Sequence, residues 1–145
     1  VAGAGPEFRT GAAATVGARL AQSLHAAAPG TVHVWGGETT VRLPPRPGRG
    51  GRCQQLALAA ALGLNGSTDI WLLAAGTDGS DGPSDDAGAL VDGGTVARGE
   101  LSGMEAGAAL RAADAGSFLE ASGDLVQTGP TGTNVMDLML GLRSR

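Results

Sequence analysis

The chain has 145 residues, a formal net charge of −4, 42% hydrophobic residues and only 3% aromatic ones. That is the length of one domain with a true core. The mild charge and the scarcity of stacking side chains argue against nucleic-acid and anionic-membrane partners, and the apolar stretches are far too short to span a bilayer.

In chain order, residues 1–10 ("VAGAGPEFRT") read as a linker. Residues 10–30 ("TGAAATVGARLAQSLHAAAPG") read as a helix: Ala and Leu are good helix formers, Val16, Leu20 and Leu24 recur at helical spacing, and Pro-Gly stops the run. "TVHVW" (31–35) predicts a strand, "GGE" a turn and "TTVRL" (39–43) a second strand. "PPRPGRGG" (44–51) excludes regular structure, since proline removes donors and glycine adds freedom. "CQQLALAAALGL" (53–64) predicts a helix ended by Asn-Gly, and "DIWLLAA" (69–75) is an apolar run of strand length, the pattern of a strand covered on both faces. After the loop "GTDGSDGPSDD" (76–86), "ALVDGGTVARG" (89–99) fits neither period. "MEAGAALRAAD" (104–114) and "SFLEAS" (117–122) predict short helices, "DLVQT" (124–128) a strand, and "VMDLMLGL" (135–142) a final strand or helix. Strand and helix patterns mostly alternate. The expected class is therefore α/β: a layered α/β/α domain with a mixed, largely parallel sheet.

One cysteine, Cys53, excludes an internal disulfide, and with no basic-then-apolar leader the chain is expected to be cytoplasmic. All ten basic residues are arginine, so no lysine-dependent chemistry can be completed by this chain alone.

Three glycine-rich loops flank predicted strands, where α/β folds commonly bind ligands: "GGETT" extended by "RPGRGGR", "GTDGSDGPSDD" and "TGPTGTN". Their charges are complementary. Arg42, Arg46, Arg49 and Arg52 crowd one loop; Asp78, Asp81, Asp85 and Asp86 crowd another. Guanidinium forks bind phosphate oxygens, aspartates hold Mg²⁺, and glycine-rich backbone amides can cradle phosphate. Each loop also has a plain reading, as an Asp/Gly turn or a solvated surface segment. An EF-hand is excluded, because Pro83 and Ala89 occupy positions 6 and 12 counted from Asp78. His25 and His33 have no partners at zinc-ligand spacing, and no G-x-S-x-G elbow occurs. Cys53, at a predicted helix N-terminus, reads better as a small packing residue than as a nucleophile.

Together "GGETTV", "GRGGRCQQLALAAAL", "GTDGSDGPSDDAGALVDG" and "GDLVQTGPTGTNVMDL" resemble the C-terminal MOFRL domain of the glycerate 2-kinases, a family also labelled hydroxypyruvate reductase and linked to tartrate degradation. The resemblance spans roughly residues 35–142, so residues 1–30 are expected to be a linker with an N-terminal helix and 31–145 the domain itself. It implies a two-domain enzyme whose larger N-terminal domain is missing here, with the active site in the cleft between the domains. The implied reaction is ATP-dependent phosphorylation of D-glycerate to 2-phosphoglycerate with Mg²⁺. Arg52 is then expected to bind the glycerate carboxylate or the phosphoryl group, and Glu38, Thr39 and Arg49 to line the same edge. Asp78, Asp81 and Asp85 are expected to position Mg²⁺ or the loop itself, and Thr131, Thr133 and Asn134 to contact substrate or nucleotide. Where the family reads "GRNQE", this chain has "GRCQQ", so Cys53 and Gln55 replace an amide and a carboxylate. Without the larger domain and its lysine the chain is expected to be inactive alone, and an apolar patch left bare by that domain would favour homodimers. The competing readings are an NAD(P)H-dependent hydroxypyruvate reductase, poorly served by "GAGPEF", which lacks the third glycine and a preceding strand, and a non-catalytic anion-binding module.

Overall fold

A computed structural model describes residues 8–145 of the chain. Six strands and five helices follow one another as β1 (Phe8–Ala12), α1 (Ala13–Ala26), β2 (Thr31–Thr40), α2 (Arg52–Leu64), β3 (Ile70–Gly76), β4 (Gly88–Asp92), α3 (Thr95–Glu100), α4 (Ala106–Arg111), α5 (Ala115–Ser122), β5 (Leu125–Val126) and β6 (Asp137–Arg143). The strands form one sheet in the order β1-β2-β6-β3-β4-β5. The α/β class and the mixed sheet match the expectation from sequence.

Three details differ. The sheet is not largely parallel: only β1 and β2 pair in parallel, and the four other pairings are antiparallel. The alternating pattern does give β1, β2 and β3 a common direction, but the C-terminal strand β6 inserts between β2 and β3 and runs against both. Second, the predicted turn at "GGE" is absent. Gly36 and Gly37 continue β2, pairing with Phe8 and Arg9 on one side and Leu138 and Asp137 on the other. A Cβ on Gly37 would lie 2.3 Å from the Arg9 carbonyl oxygen, so glycine here serves close strand approach, not a reversal. Third, residues 8–10 of the expected linker belong to an edge strand, Phe8–Ala12; residues 1–7 lie outside the described residues. The motif "GAGPEF" lies almost wholly outside the described residues.

The core lies between one sheet face and the helices. Trp35, Ile70, Leu72, Ala74, Ala89, Val91 and Met139 point from the strands toward α1 and α2 and are buried. Each buried large apolar side chain contributes about 1.5–3 kcal/mol. Helix α1 presents Val16, Leu20 and Leu24, the predicted stripe, and belongs to the same core as the rest of the chain. α3, α4 and α5 gather around α2. The opposite sheet face has no helix layer among the described residues. Val34 pairs across to Leu140, which pairs to Leu73 and on to Leu90; Val32, Leu142 and Trp71 form a second row. These side chains are exposed or half-buried. The described residues therefore form two layers where three were expected, although β3 does carry apolar residues on both faces. No helix among the described residues is long and apolar enough to cross a membrane.

The contact between α1 and α2 depends on small residues. A Cβ on Gly17 would sit 2.2 Å from the Leu56 carbonyl oxygen, and one on Gly63 would sit 2.8 Å from the Ala21 methyl. Gly17→Ala forces two helix backbones apart and is expected to destabilise the chain by about 1–3 kcal/mol. That lowers the thermal unfolding midpoint by about 2–4 °C per kcal/mol; an unchanged midpoint would contradict the tight packing.

Candidate functional site

The three glycine-rich loops meet at one end of the sheet. β2 and β3 end there and β6 begins there, so Asp137 at the start of β6 pairs with both Gly37 and Gly76. Between the loops lies a cleft of about 300 Å³. Its wall includes Arg52 and Gln55 from α2, Asp78 and Ser80 from the second loop, and Asn134, Met136 and Asp137 from the third. Guanidinium and carboxylate segments far apart in sequence are thus brought together.

Arg52, the first residue of α2, is held by two carboxylates. Its Nε donates to Asp137 Oδ2 at 2.6 Å and its Nη2 to Asp137 Oδ1 at 3.1 Å, while Nη1 donates to Glu38 Oε1 at 3.2 Å. The Asp137 side chain is 3% exposed and that of Arg52 36%. The hydrogen bond to Asp137 raises the Arg52 pKa above its ordinary value, against the desolvation that lowers it.

Asp81 has a different task. Its two carboxylate oxygens accept the backbone N–H groups of Cys53 (2.9 Å) and Gln54 (2.8 Å), two of the free donors in the first turn of α2. The local N-cap residue, Gly51, offers no side chain, and a Cβ there would lie 2.5 Å from Asp81 Oδ1. The helix is therefore capped from another loop, and Gly51 before it makes room for the acid. Burial pushes the Asp81 carboxyl up, and the two amide bonds oppose that push.

The other aspartates separate. Asp78 lines the cleft and its Oδ1 accepts from Ser80 N and Oγ. Asp85 is exposed and lines a neighbouring hollow, not the cleft. Asp86 is buried and accepts from Arg49 and Gln127. No group of three or more His, Cys, Asp or Glu side chains among the described residues is arranged to hold a metal. The trio Asp78, Asp81 and Asp85 does not fit a Mg²⁺ cage, because Asp81 spends both oxygens on amides and Asp85 lies elsewhere.

Of the remaining sequence candidates, Glu38 reaches the cleft rim through Arg52 and Asn134 lines the wall, its Oδ1 accepting from Met136 N. Arg49 stands outside: it bridges Asp86 and Glu120 at 3.2 and 2.6 Å, strapping the first loop to α5. Thr39 is 2% exposed and its Oγ1 has no hydrogen-bond partner among the described residues. Thr131 and Thr133 are exposed; Thr131 ties the third loop to the second by donating its hydroxyl to Thr77 O and its N–H to Asp78 O. Cys53 is buried, and desolvation drives its thiol far above the ordinary range, which disfavours the reactive thiolate. Gln55 donates to Leu110 O at 2.8 Å.

Sequence reasoning missed Asp137. A lone acid inside the apolar run "VMDLMLGL" was the available signal, since a buried carboxylate needs a cationic partner. It also missed strain. Ala113 (φ 50°) and Met136 (φ 72°) are the only non-glycine residues with positive φ among the described ones, and both line the cleft. Such strain gathers at functional sites.

Removing the distal cap tests the division of labour among the aspartates. Asp81→Ala leaves two buried amides without acceptors and is expected to destabilise the chain by about 1–3 kcal/mol. In the same thermal melts Asp85→Ala should leave the midpoint unchanged; equal effects would contradict the assignment.

The MOFRL family profile matches residues 31–137. The D-glycerate 2-kinase of Thermotoga maritima is 48% identical over 109 residues, covering 75% of this chain and 26% of that protein. A protein of Agrobacterium vitis provisionally named hydroxypyruvate reductase is 46% identical over 71% of this chain and 27% of its own length. The crystal structure of a glycerate kinase from Thermotoga maritima superimposes with a TM-score of 0.89 at 38% identity, over 95% of this chain and 36% of the other. The chain thus spans about a quarter of the length of the curated relatives it matches.

Proposed function

Because the chain belongs to the MOFRL family, we propose that it is the C-terminal domain of a glycerate 2-kinase, contributing one wall of the site where D-glycerate takes the γ-phosphoryl group of ATP. The observation that carries this reading is Arg52, presented into a small cleft by three converging loops. Three of its five N–H groups are engaged by Asp137 and Glu38, leaving one on each terminal nitrogen. Such a pair can fork onto a carboxylate or a phosphoryl group. Phosphoryl transfer depends chiefly on positioning and charge neutralisation, which is what this wall offers.

Charge balance supports a site shared with another domain. Arg52 brings one positive charge, while Asp137, Glu38 and Asp78 bring negative ones. An anion needs more positive charge than these residues supply. The remainder comes from the larger domain and from a divalent ion, whose charge offsets that of the transferring group. Asp78 is the carboxylate of this chain best sited to meet that ion, alongside water and phosphate oxygens. Asn134 and Ser80 offer polar contacts to the three-carbon acid. Arg49 and Thr131 fix the loops through their partners, and the exposed Thr133 hydroxyl stays available to ligand.

The reductase label has weaker support. Among the described residues no loop that follows a strand carries the G-x-G-x-x-G spacing that a dinucleotide pyrophosphate wants. The full-length protein containing this region should release ADP with D-glycerate and ATP and should leave NADH unoxidised with hydroxypyruvate; the opposite pattern would overturn the proposal. In that protein Arg52→Ala should lower kcat/KM for glycerate at least tenfold, about 1.4 kcal/mol, and unchanged kinetics would remove Arg52 from the site.

A further inference from the structure

We infer that Asp137 is the positioning residue of the site: it fixes the direction of Arg52 and does not itself touch substrate. The inference rests on the kinase reading above and adds a residue to it. Asp137 opens the central strand, and its backbone is laddered to β2 on one side and β3 on the other. Few positions in the domain are held more firmly. Its side chain is nearly fully buried and both its oxygens are engaged by the Arg52 fork.

A flexible arginine at the mouth of a cleft would sample many rotamers and lose that freedom on meeting ligand. Here the side-on pair with Asp137 removes the freedom in advance, so the two unused N–H groups already face a fixed direction. Glu38 adds a second restraint from the half-exposed rim. Folding alone does not explain the pair, because an ion pair with one partly exposed partner adds little to stability. Its place on the cleft wall does, since both partners line it. The strained Met136 immediately before Asp137 delivers the third loop to the same point. Asp137 thus couples the loop's exit to the arginine.

A double-mutant cycle in the full-length protein tests this. Asp137→Asn keeps the side-chain shape and removes the charge; kcat/KM for glycerate should fall about 10–100-fold. In the Arg52→Ala background the same change should have no further effect, because its target is gone. Losses that multiply in the double variant would overturn the inference. If Asp137→Asn does not fold, as judged by circular dichroism, Asp137→Glu takes its place in the cycle with the same two outcomes. Should the wild-type protein not phosphorylate glycerate, the kinase reading fails by itself. The Arg52 Nε–H resonance then decides the positioning claim: slow exchange that is lost in the Asp137 variant supports it, and exchange that is the same in both overturns it.

Discussion

The buried carboxylate of Asp81 is the contact on which the site depends. By accepting the amides of Cys53 and Gln54 it seats the second loop on the N-terminus of α2. That one interaction satisfies helix donors that no local side chain can reach and joins two loops 28 residues apart. It also fixes where α2 begins, and so where its first residue, Arg52, leaves the helix. Gly51 follows from the same contact, since a side chain there would collide with Asp81, while Gly50 and Gly48 make room for Gly116 and Asp114. Chain flexibility explains little of this glycine-rich segment; close packing explains more.

The third loop is brought in by topology. β6 comes from the C-terminal end of the chain yet occupies the middle of the sheet. Its first residue therefore arrives beside the ends of β2 and β3, where the other two loops begin. The strained Met136 and the turn at Asn134 shape the entry. A late strand inserted between two earlier ones is thus what gathers segments from across the chain around one cleft. It also makes the sheet mostly antiparallel while the helix-linked strands keep a common direction.

Much of this was legible in the residues. The helices at α1 and α2, the strand at β3 and the meeting of basic and acidic loops follow from apolar spacing and from charge clustering. What was hidden depended on long-range partners. Gly36 and Gly37 look like a turn until strands lie close on both sides. The aspartates look alike in sequence, yet Asp81 caps a helix, Asp86 anchors Arg49, Asp85 faces solvent and Asp78 lines the cleft. Arg49 and Arg52 look equivalent too, and the partners each finds send one to a scaffold and the other to the site. The continuous apolar run of β3 announced a strand apolar on both faces, but not that one of those faces would carry no helix among the described residues.

The most direct measurement is a crystal structure of the full-length protein with D-glycerate and a non-hydrolysable ATP analogue. Glycerate or the terminal phosphate within hydrogen-bond distance of the Arg52 terminal nitrogens, with Asp137 still paired to Nε, is the predicted result. Ligand bound away from Arg52 and Asp78, for instance against the apolar sheet face, would contradict the account.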